Sequence, residues 1–142
     1  VYGSFSKPLL LATAVALENW TKRAREDFVK LTELNSFIRQ ELVSEIKDIK
    51  IAGDGDNCDP RFLAFVIPHT HSEEVLRKVE AQGLLIDAGS ACGSGPLSPS
   101  HVLTAMGYSE HGNYRITLKP THSREGLKKL VSVLVKGIAA GA

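Results

Sequence analysis

The stretch "IDAGSACGSGPLSPS", residues 86–100, runs from an apolar strand pattern into a loop of glycines and serines around a cysteine. Cys92 stands in this loop without the apolar neighbours that a buried structural cysteine needs. Gly89, Gly93 and Gly95 let the backbone bend freely, and glycine-rich backbone exposes N–H groups that stabilise an anion. The pattern therefore favours a functional thiol at Cys92, with a small apolar residue in a tight loop as the alternative.

Other catalytic and metal-binding loop types fit the sequence less well. The loop lacks the Gly-Lys-Ser/Thr of a P-loop, and Pro96 and Pro99 delay the helix that must follow a nucleophile elbow at once. The histidines of "HTH" (69–71) have no recognised zinc spacing with either cysteine. "DGDNCD" (54–59) lacks the glutamate that ends a calcium loop, which favours a plain turn.

Hydrophobic periodicity along the chain predicts eight elements in the order αββαβαβα. The predicted helices cover 7–46, 72–83, 98–107 and a final stretch that Ser123 caps, and the predicted strands cover 47–53, 61–68, 84–88 and 114–118. Ser72 is expected to cap the second helix, and Gly83 and Gly107 to end the helices before them. The first helix is expected to pack one face through Phe28, Leu31, Leu34, Phe37, Ile38 and Leu42. This order predicts a two-layer α+β domain whose sheet is covered by helices.

Composition narrows the classes of partner. The 142 residues fit one domain, and the formal net charge of +1 argues against nucleic acid or an anionic membrane as partner. "PLLLATAVAL" (8–17) is too short to span a bilayer, and two cysteines make no disulfide framework, so we expect a cytoplasmic protein. Because the chain opens on Val1 and enters an apolar helix pattern almost at once, we expect it to be a piece of a longer protein.

Two motifs together carry a resemblance to a known family. "AGSACGSGPLSPSHVLTAMG" (88–107) and "GNYRITL" (112–118) resemble the C-terminal part of a cysteine desulfurase, in the class V aminotransferase family. That family has a Ser-Gly-Ser-[Ala/Ser]-Cys loop, then Pro-Ser-[His/Tyr]-Val-Leu, a helix ending in Met-Gly or Leu-Gly, and a Gly-Asn-x-Arg strand. The match is dense over 88–118 and looser over the rest of the chain. The resemblance implies that residues 1–142 are the C-terminal small domain of a fold-type I enzyme, mainly an antiparallel sheet, dependent on pyridoxal phosphate.

The resemblance also implies roles for three residues. Cys92 matches the mobile thiol that attacks the sulfur of L-cysteine, leaving L-alanine and a persulfide for a sulfur acceptor or an iron-sulfur scaffold protein. Arg115 matches the residue that binds the substrate carboxylate through its planar fork. Ser4 falls where the family has a hydroxyl that reaches the cofactor phosphate of the partner subunit, which implies a homodimer.

The chain departs from the family pattern in two ways. Lys119-Pro120 follows the arginine strand where the family has Leu-Gly, so the turn leaving the site is expected to differ. No lysine lies in a Schiff-base motif and no aspartate is placed to hold the pyridine nitrogen. We therefore expect pyridoxal phosphate in the full-length protein but not on this chain, which alone is expected to be inactive.

Three other interpretations stay open at this point. The parent is another class V enzyme, such as a selenocysteine lyase or a sulfinate-handling relative. Alternatively, the chain is a stand-alone sulfur carrier or binding module without catalysis. In the third interpretation Cys92 is incidental and the domain is purely structural.

Overall fold

A computed structural model describes residues 5–53, 55, 57–88, 101–108 and 112–139, with the side chain of His101 left aside. The elements are α1 (Lys7–Glu45), β1 (Lys50–Ile51), β2 (Phe62–Val66), α2 (Ser72–Glu80), β3 (Asp87–Ala88), α3 (His101–Ala105), β4 (Asn113–Thr117) and α4 (Arg124–Ala139). Their order is the predicted one. No helix in these ranges is long and apolar enough to cross a membrane.

The described strands form one four-stranded sheet in the order β1-β2-β4-β3, and every neighbouring pair is antiparallel. This confirms an α+β domain with a small antiparallel sheet. β4 lies between β2 and β3, so Arg115 is flanked by Ala64 on one side and by Asp87 on the other. Residues directly opposite each other on neighbouring strands share a face of the sheet. Ala64, Arg115 and Asp87 therefore form one row across three strands.

The main core lies between one face of the sheet and the helices α1, α2 and α4. Side chains alternate along the strands, so Leu63 and Phe65 of β2 and Tyr114 and Ile116 of β4 all point into this core. The rings of Phe65 and Tyr114 stack with centroids 5.5 Å apart. On the other face, Leu103 of α3 packs against Ala52 and Val66 in a second, small cluster. The two-layer prediction did not include this partial cover of the second face.

The long helix α1 packs along only part of its length. Leu31, Leu34, Ile38 and Leu42 are buried against the sheet, as predicted. Phe28 was expected in the same stripe but is 58% exposed. The apolar side chains before it are exposed as well: Leu9, Leu10, Leu11, Val15, Leu17 and Trp20. The first half of α1 therefore extends past the end of the core.

Some predicted boundaries are confirmed and one cap is wrong. The Gly126 N–H donates to Ser123 Oγ at 3.1 Å, which confirms Ser123 as the cap of α4. Gly83 and Gly107 follow their helices with φ of +72° and +88°, values that favour glycine. Ser72, however, is the first residue of α2, and its buried hydroxyl donates to Asn113 O at 3.2 Å. The Ser72 hydroxyl, which was predicted to cap the helix, thus forms a tertiary hydrogen bond to Asn113 instead.

Two predicted strands are much shorter than expected, with two residues each. β1 pairs only at Lys50–Ile51, because Asp48 adopts a φ of +58° and interrupts the extended backbone before it. β3 pairs only at Asp87–Ala88, after a loop that begins at Leu84. The short β3 still matters for function, because it places Asp87 beside the central strand.

Candidate functional site

The structure places one of the three predicted site residues. Arg115 lies in the middle of β4. Cys92 and Ser4 lie outside the described residues, so their predicted roles stay predictions. The site is therefore described from Arg115 outward.

The strand alternation of β4 directs Arg115 away from the helices. Tyr114 and Ile116 are buried in the main core, whereas Arg115 and Thr117 are exposed. The neighbour of Arg115 on β2 is Ala64, whose side chain is short. This leaves room beside the guanidinium on the face opposite the helices α1, α2 and α4.

Asp87 forms an ion pair with Arg115. Arg115 Nη2 donates to Asp87 Oδ2 at 2.9 Å, and both side chains are 53% exposed. Because solvent screens a pair this exposed, it contributes no more than about 1 kcal/mol to stability. It is the only hydrogen bond that the Arg115 side chain makes to the described residues. A guanidinium has five N–H donors, so enough remain to bind a carboxylate.

A cavity of about 460 Å³ adjoins the ion pair at the β3 edge of the sheet. Leu127 and Leu130 of α4 form an apolar part of its wall, and Lys119 and His122 also line it. Among the described residues of that lining, Asp87 is the only acidic one. A space of this kind suits a small molecule with a carboxylate at one end and an apolar part at the other.

The turn at Lys119-Pro120, where the family has Leu-Gly, lies beside this cavity. The His122 N–H donates to Lys119 O at 3.0 Å, and the Lys119 N–H donates to His122 Nδ1 at 3.3 Å. These two hydrogen bonds close a tight turn after β4 and leave both residues in the cavity lining. Lys119 and His122 thus share the cavity lining with Arg115.

Sequence reasoning missed Asp87 as a site residue. It was assigned to the end of a strand, and no local pattern distinguishes it from any other strand-end aspartate. Its position opposite Arg115 follows only from the pairing of β3 with β4, which joins residues 28 positions apart.

The described residues do not form a pyridoxal phosphate site by themselves. Their lysines lie exposed at the surface, apart from Lys78, which is half-buried and donates to Gly137 O at 3.0 Å. None of them is an enclosed amine of the kind that a Schiff base needs. Within the same ranges, no group of three or more His, Cys, Asp and Glu residues is placed to hold a metal ion.

Comparison with known proteins identifies the fold and the family. The model of the aminotransferase class-V family matches residues 11–130. A cysteine desulfurase IscS of Dictyoglomus turgidum is 31% identical over 112 residues, covering 77% of this chain and 28% of that protein. A cysteine desulfurase of Rhodobacter capsulatus is 26% identical over 140 residues, covering 96% of this chain and 36% of that protein.

Two solved structures share the fold. A NifS-like protein superposes with a TM-score of 0.79 at 18% identity, over 98% of this chain and 35% of its own. A NifS-like protein of Rickettsia africae superposes with a TM-score of 0.59 at 19% identity, over 84% of this chain and 30% of its own. The chain thus spans roughly a third of the length of the proteins it matches. The family match over most of its residues shows that the chain belongs to the class V aminotransferase family.

Proposed function

We propose that this chain, residues 1–142, is the C-terminal small domain of a pyridoxal phosphate-dependent cysteine desulfurase. The observation that carries the proposal is an exposed arginine in the middle of the sheet. Among the described residues, Arg115 makes one side-chain hydrogen bond, to Asp87, beside a cavity of about 460 Å³. The names of the relatives, cysteine desulfurase in both bacteria, support the same activity.

The exposed half of α1 supports a domain that works within a larger protein. Six large apolar side chains from Leu9 to Trp20 are each more than half exposed. Exposed apolar side chains in such number are typical of an interface. The relatives are about three times as long as this chain, which supports a cofactor domain elsewhere in the parent. We assign pyridoxal phosphate to that domain, since the described residues do not fit it alone.

In the proposed reaction Arg115 binds the carboxylate of L-cysteine and Cys92 receives its sulfur. The C–S bond of the substrate breaks and an S–S bond to Cys92 Sγ forms. The electron pair of the C–S bond stays with the amino-acid carbon, which takes up the thiol proton. The products are L-alanine and a Cys92 persulfide. Breaking such a bond needs an electron sink, which is the chemistry that pyridoxal phosphate supplies.

The positions of β3 and β4 are compatible with these two roles. Ala88 ends β3 directly opposite Tyr114, the neighbour of Arg115. Cys92 follows Ala88 by four residues in the sequence, and a four-residue chain reaches at most about 14 Å. A tether of this length is compatible with a thiol that reaches a substrate held at Arg115, and holding two reactants together favours their reaction.

The rest of the proposal follows the family resemblance. The persulfide passes to a sulfur acceptor or an iron-sulfur scaffold protein in the cytoplasm. The parent is a homodimer in which Ser4 contacts the cofactor phosphate of the partner subunit.

Cys92 is tested in the full-length gene product with pyridoxal phosphate and L-cysteine. Cys92→Ser should abolish both the persulfide, read by intact mass, and the formation of alanine. Cys58→Ser is the matched control. Cys58 lies beside Arg39, whose Nη2 is 3.6 Å from its sulfur, and its replacement should leave both readouts unchanged. Alanine formation by the Cys92→Ser protein, or a persulfide on Cys58, would contradict the assignment.

Arg115 is tested in the same assay. Arg115→Lys keeps the charge but loses the planar fork, so KM for L-cysteine should rise roughly 10- to 100-fold with a smaller effect on kcat. An unchanged KM would remove Arg115 from substrate binding. The 142-residue chain on its own should form no alanine. A native gene product with a mass close to 15.4 kDa would instead leave a sulfur-carrier role.

A further inference from the structure

We infer that Asp87 is a specificity-determining residue that keeps amino acids with an anionic side chain away from Arg115. The inference rests on the proposed function only in taking Arg115 as the carboxylate-binding residue. It starts from the ion pair across β3 and β4, where Arg115 Nη2 donates to Asp87 Oδ2 at 2.9 Å. One carboxylate is thus already bound to the guanidinium before any substrate arrives.

The remaining donors of Arg115 can still take a second carboxylate. Among the described residues, Arg115 forms its only side-chain hydrogen bond with Asp87, which leaves another edge of its planar fork without a partner from these residues. Two carboxylates on one guanidinium lie roughly 7 Å apart, given ordinary N–H···O distances. The cation offsets one negative charge and leaves the other uncompensated. An amino acid with a neutral side chain offsets that excess with its own ammonium group.

An amino acid with an anionic side chain adds a third negative charge close to Asp87. In a three-carbon amino acid the side-chain charge stays within a few ångströms of the α-carboxylate that Arg115 holds. The repulsion from Asp87 therefore acts on the side chain as well as on the carboxylate. At half-exposed positions we expect a penalty of roughly tenfold in affinity, reduced by salt.

Among the described residues that line the cavity, only Asp87 can repel an anionic side chain. Lys119 lines the same cavity and attracts an anion, whereas Asp87 is the only acidic group among the described residues of the lining. Neutralising Asp87 leaves Arg115 and Lys119 without an opposing charge from these residues. The preference for substrates with neutral side chains over anionic ones should therefore depend on Asp87. A single substitution of this residue should reduce the preference.

The first experiment compares L-cysteine with L-cysteine sulfinate in the full-length holoenzyme. Asp87→Asn removes the charge but keeps an oxygen that accepts from Arg115 Nη2. We expect it to raise the sulfinate-to-cysteine ratio of kcat/KM by roughly tenfold at low salt, and by clearly less at high salt. A loss of structure alone would not produce a salt-dependent change in this ratio.

Asp59→Asn is the matched control. Asp59 forms an ion pair with Arg61 that is likewise exposed, and neither residue lines the Arg115 cavity. Its substitution should leave the substrate ratio unchanged. An unchanged ratio in Asp87→Asn, or an equal change at low and high salt, would overturn the inference.

A second experiment needs no cofactor and no turnover. The full-length protein is labelled with 15N-arginine, and the guanidinium signals of Arg115 are followed while propanoate or succinate is added. Asp87→Asn should strengthen succinate binding roughly tenfold and propanoate binding by less. Equal strengthening of both anions would refute the role of Asp87.

The two experiments separate this inference from the proposed function. Absence of alanine formation in the wild type, with the expected succinate effect, would refute the desulfurase proposal and retain the charge selectivity of Asp87. No response of Arg115 to either anion would refute carboxylate binding at Arg115 and the inference with it. Normal turnover of L-cysteine with no change in selectivity would refute the inference alone.

Discussion

Thr70 Oγ1 lies 2.9 Å from Tyr114 Oη, on the side of the sheet opposite Arg115. The Thr70 hydroxyl donates its own proton to Ile67 O at 2.8 Å, so Tyr114 must donate to Thr70 rather than accept from it. Tyr114 is fully buried in the main core. The strand that presents Arg115 is therefore anchored by a phenol that has to stay protonated.

Burial raises the pKa of Tyr114 above its usual value near 10, because the phenolate loses its hydration, and the hydroxyl groups of Thr70 and Ser72 beside the phenol offset only part of this. The stability that this shift contributes is present below pH 10 and is lost as the pH rises through the folded-state pKa. Tyr114→Phe should cost about 1 kcal/mol at pH 7. The difference in free energy of unfolding between wild type and Tyr114→Phe should then shrink above pH 10. Urea unfolding of both proteins between pH 7 and pH 11 measures it, and a difference that stays constant would contradict the argument.

Gly112, just before β4, cannot carry a side chain. An added Cβ would lie 2.1 Å from Ile67 O and 2.5 Å from Thr70 Oγ1, and its φ of +90° already favours glycine. The Ile67 N–H also donates to Gly112 O at 2.9 Å, so the two backbones cannot separate without losing this hydrogen bond. Gly112→Ala should therefore destabilise the fold by about 3 kcal/mol or more in urea unfolding.

Gly83→Ala separates the steric cost from the conformational cost. Gly83 has a φ of +72°, but an added Cβ there meets nothing within 4 Å. Its substitution should cost only the backbone strain, about 1 kcal/mol. Equal costs at Gly83 and Gly112 would mean that the close approach of Ile67 does not constrain β4.

The parts of the fold that depend on neighbouring residues were predictable. The cap at Ser123, the end of α2 shortly before Gly83 and the order of all eight elements follow from local patterns. Ser72 was assigned wrongly because its hydroxyl donates to Asn113, a residue 41 positions away. A local rule cannot weigh such a partner against the helix cap.

The candidate site shows the same limit. Arg115 was predicted from its motif, and its exposure follows from the alternation of a strand. Asp87 could not be predicted, because a shift of β3 by one residue would turn it to the other face of the sheet. The cavity beside them depends on the turn at Lys119 and on α4, which only the tertiary fold brings together.

Asn35 joins α1 to the segment that leads into β2. Its buried amide donates to Pro60 O at 3.0 Å and its Oδ1 accepts from Arg39 Nε at 2.7 Å. Asn35→Ala would leave the Pro60 carbonyl without this donor, so the free energy of unfolding should fall by about 1–3 kcal/mol. Gln40→Ala, at an exposed position of the same helix, should change it by less than about 0.5 kcal/mol. A similar loss in both variants would show that the buried amide does not set the cost.

The two halves of α1 should respond differently to the same substitution. Leu42 is fully buried in the main core, whereas Leu17 is 57% exposed on the part of the helix that extends past it. Leu42→Ala should lower the free energy of unfolding by about 2–5 kcal/mol through lost burial and a residual cavity. Leu17→Ala should change it by less than about 0.5 kcal/mol in the 142-residue chain.

The full-length gene product provides the decisive comparison for Leu17. If the exposed apolar half of α1 packs against the rest of the parent protein, Leu17→Ala should destabilise that protein although it leaves the 142-residue chain unaffected. We expect a loss of about 2 kcal/mol there, because burial of a leucine side chain contributes about this much. Urea unfolding of both proteins, with and without the substitution, measures the contrast. An equally small effect in the two would mean that this half of the helix stays exposed in the parent, and would remove one support for assigning the chain to a larger enzyme.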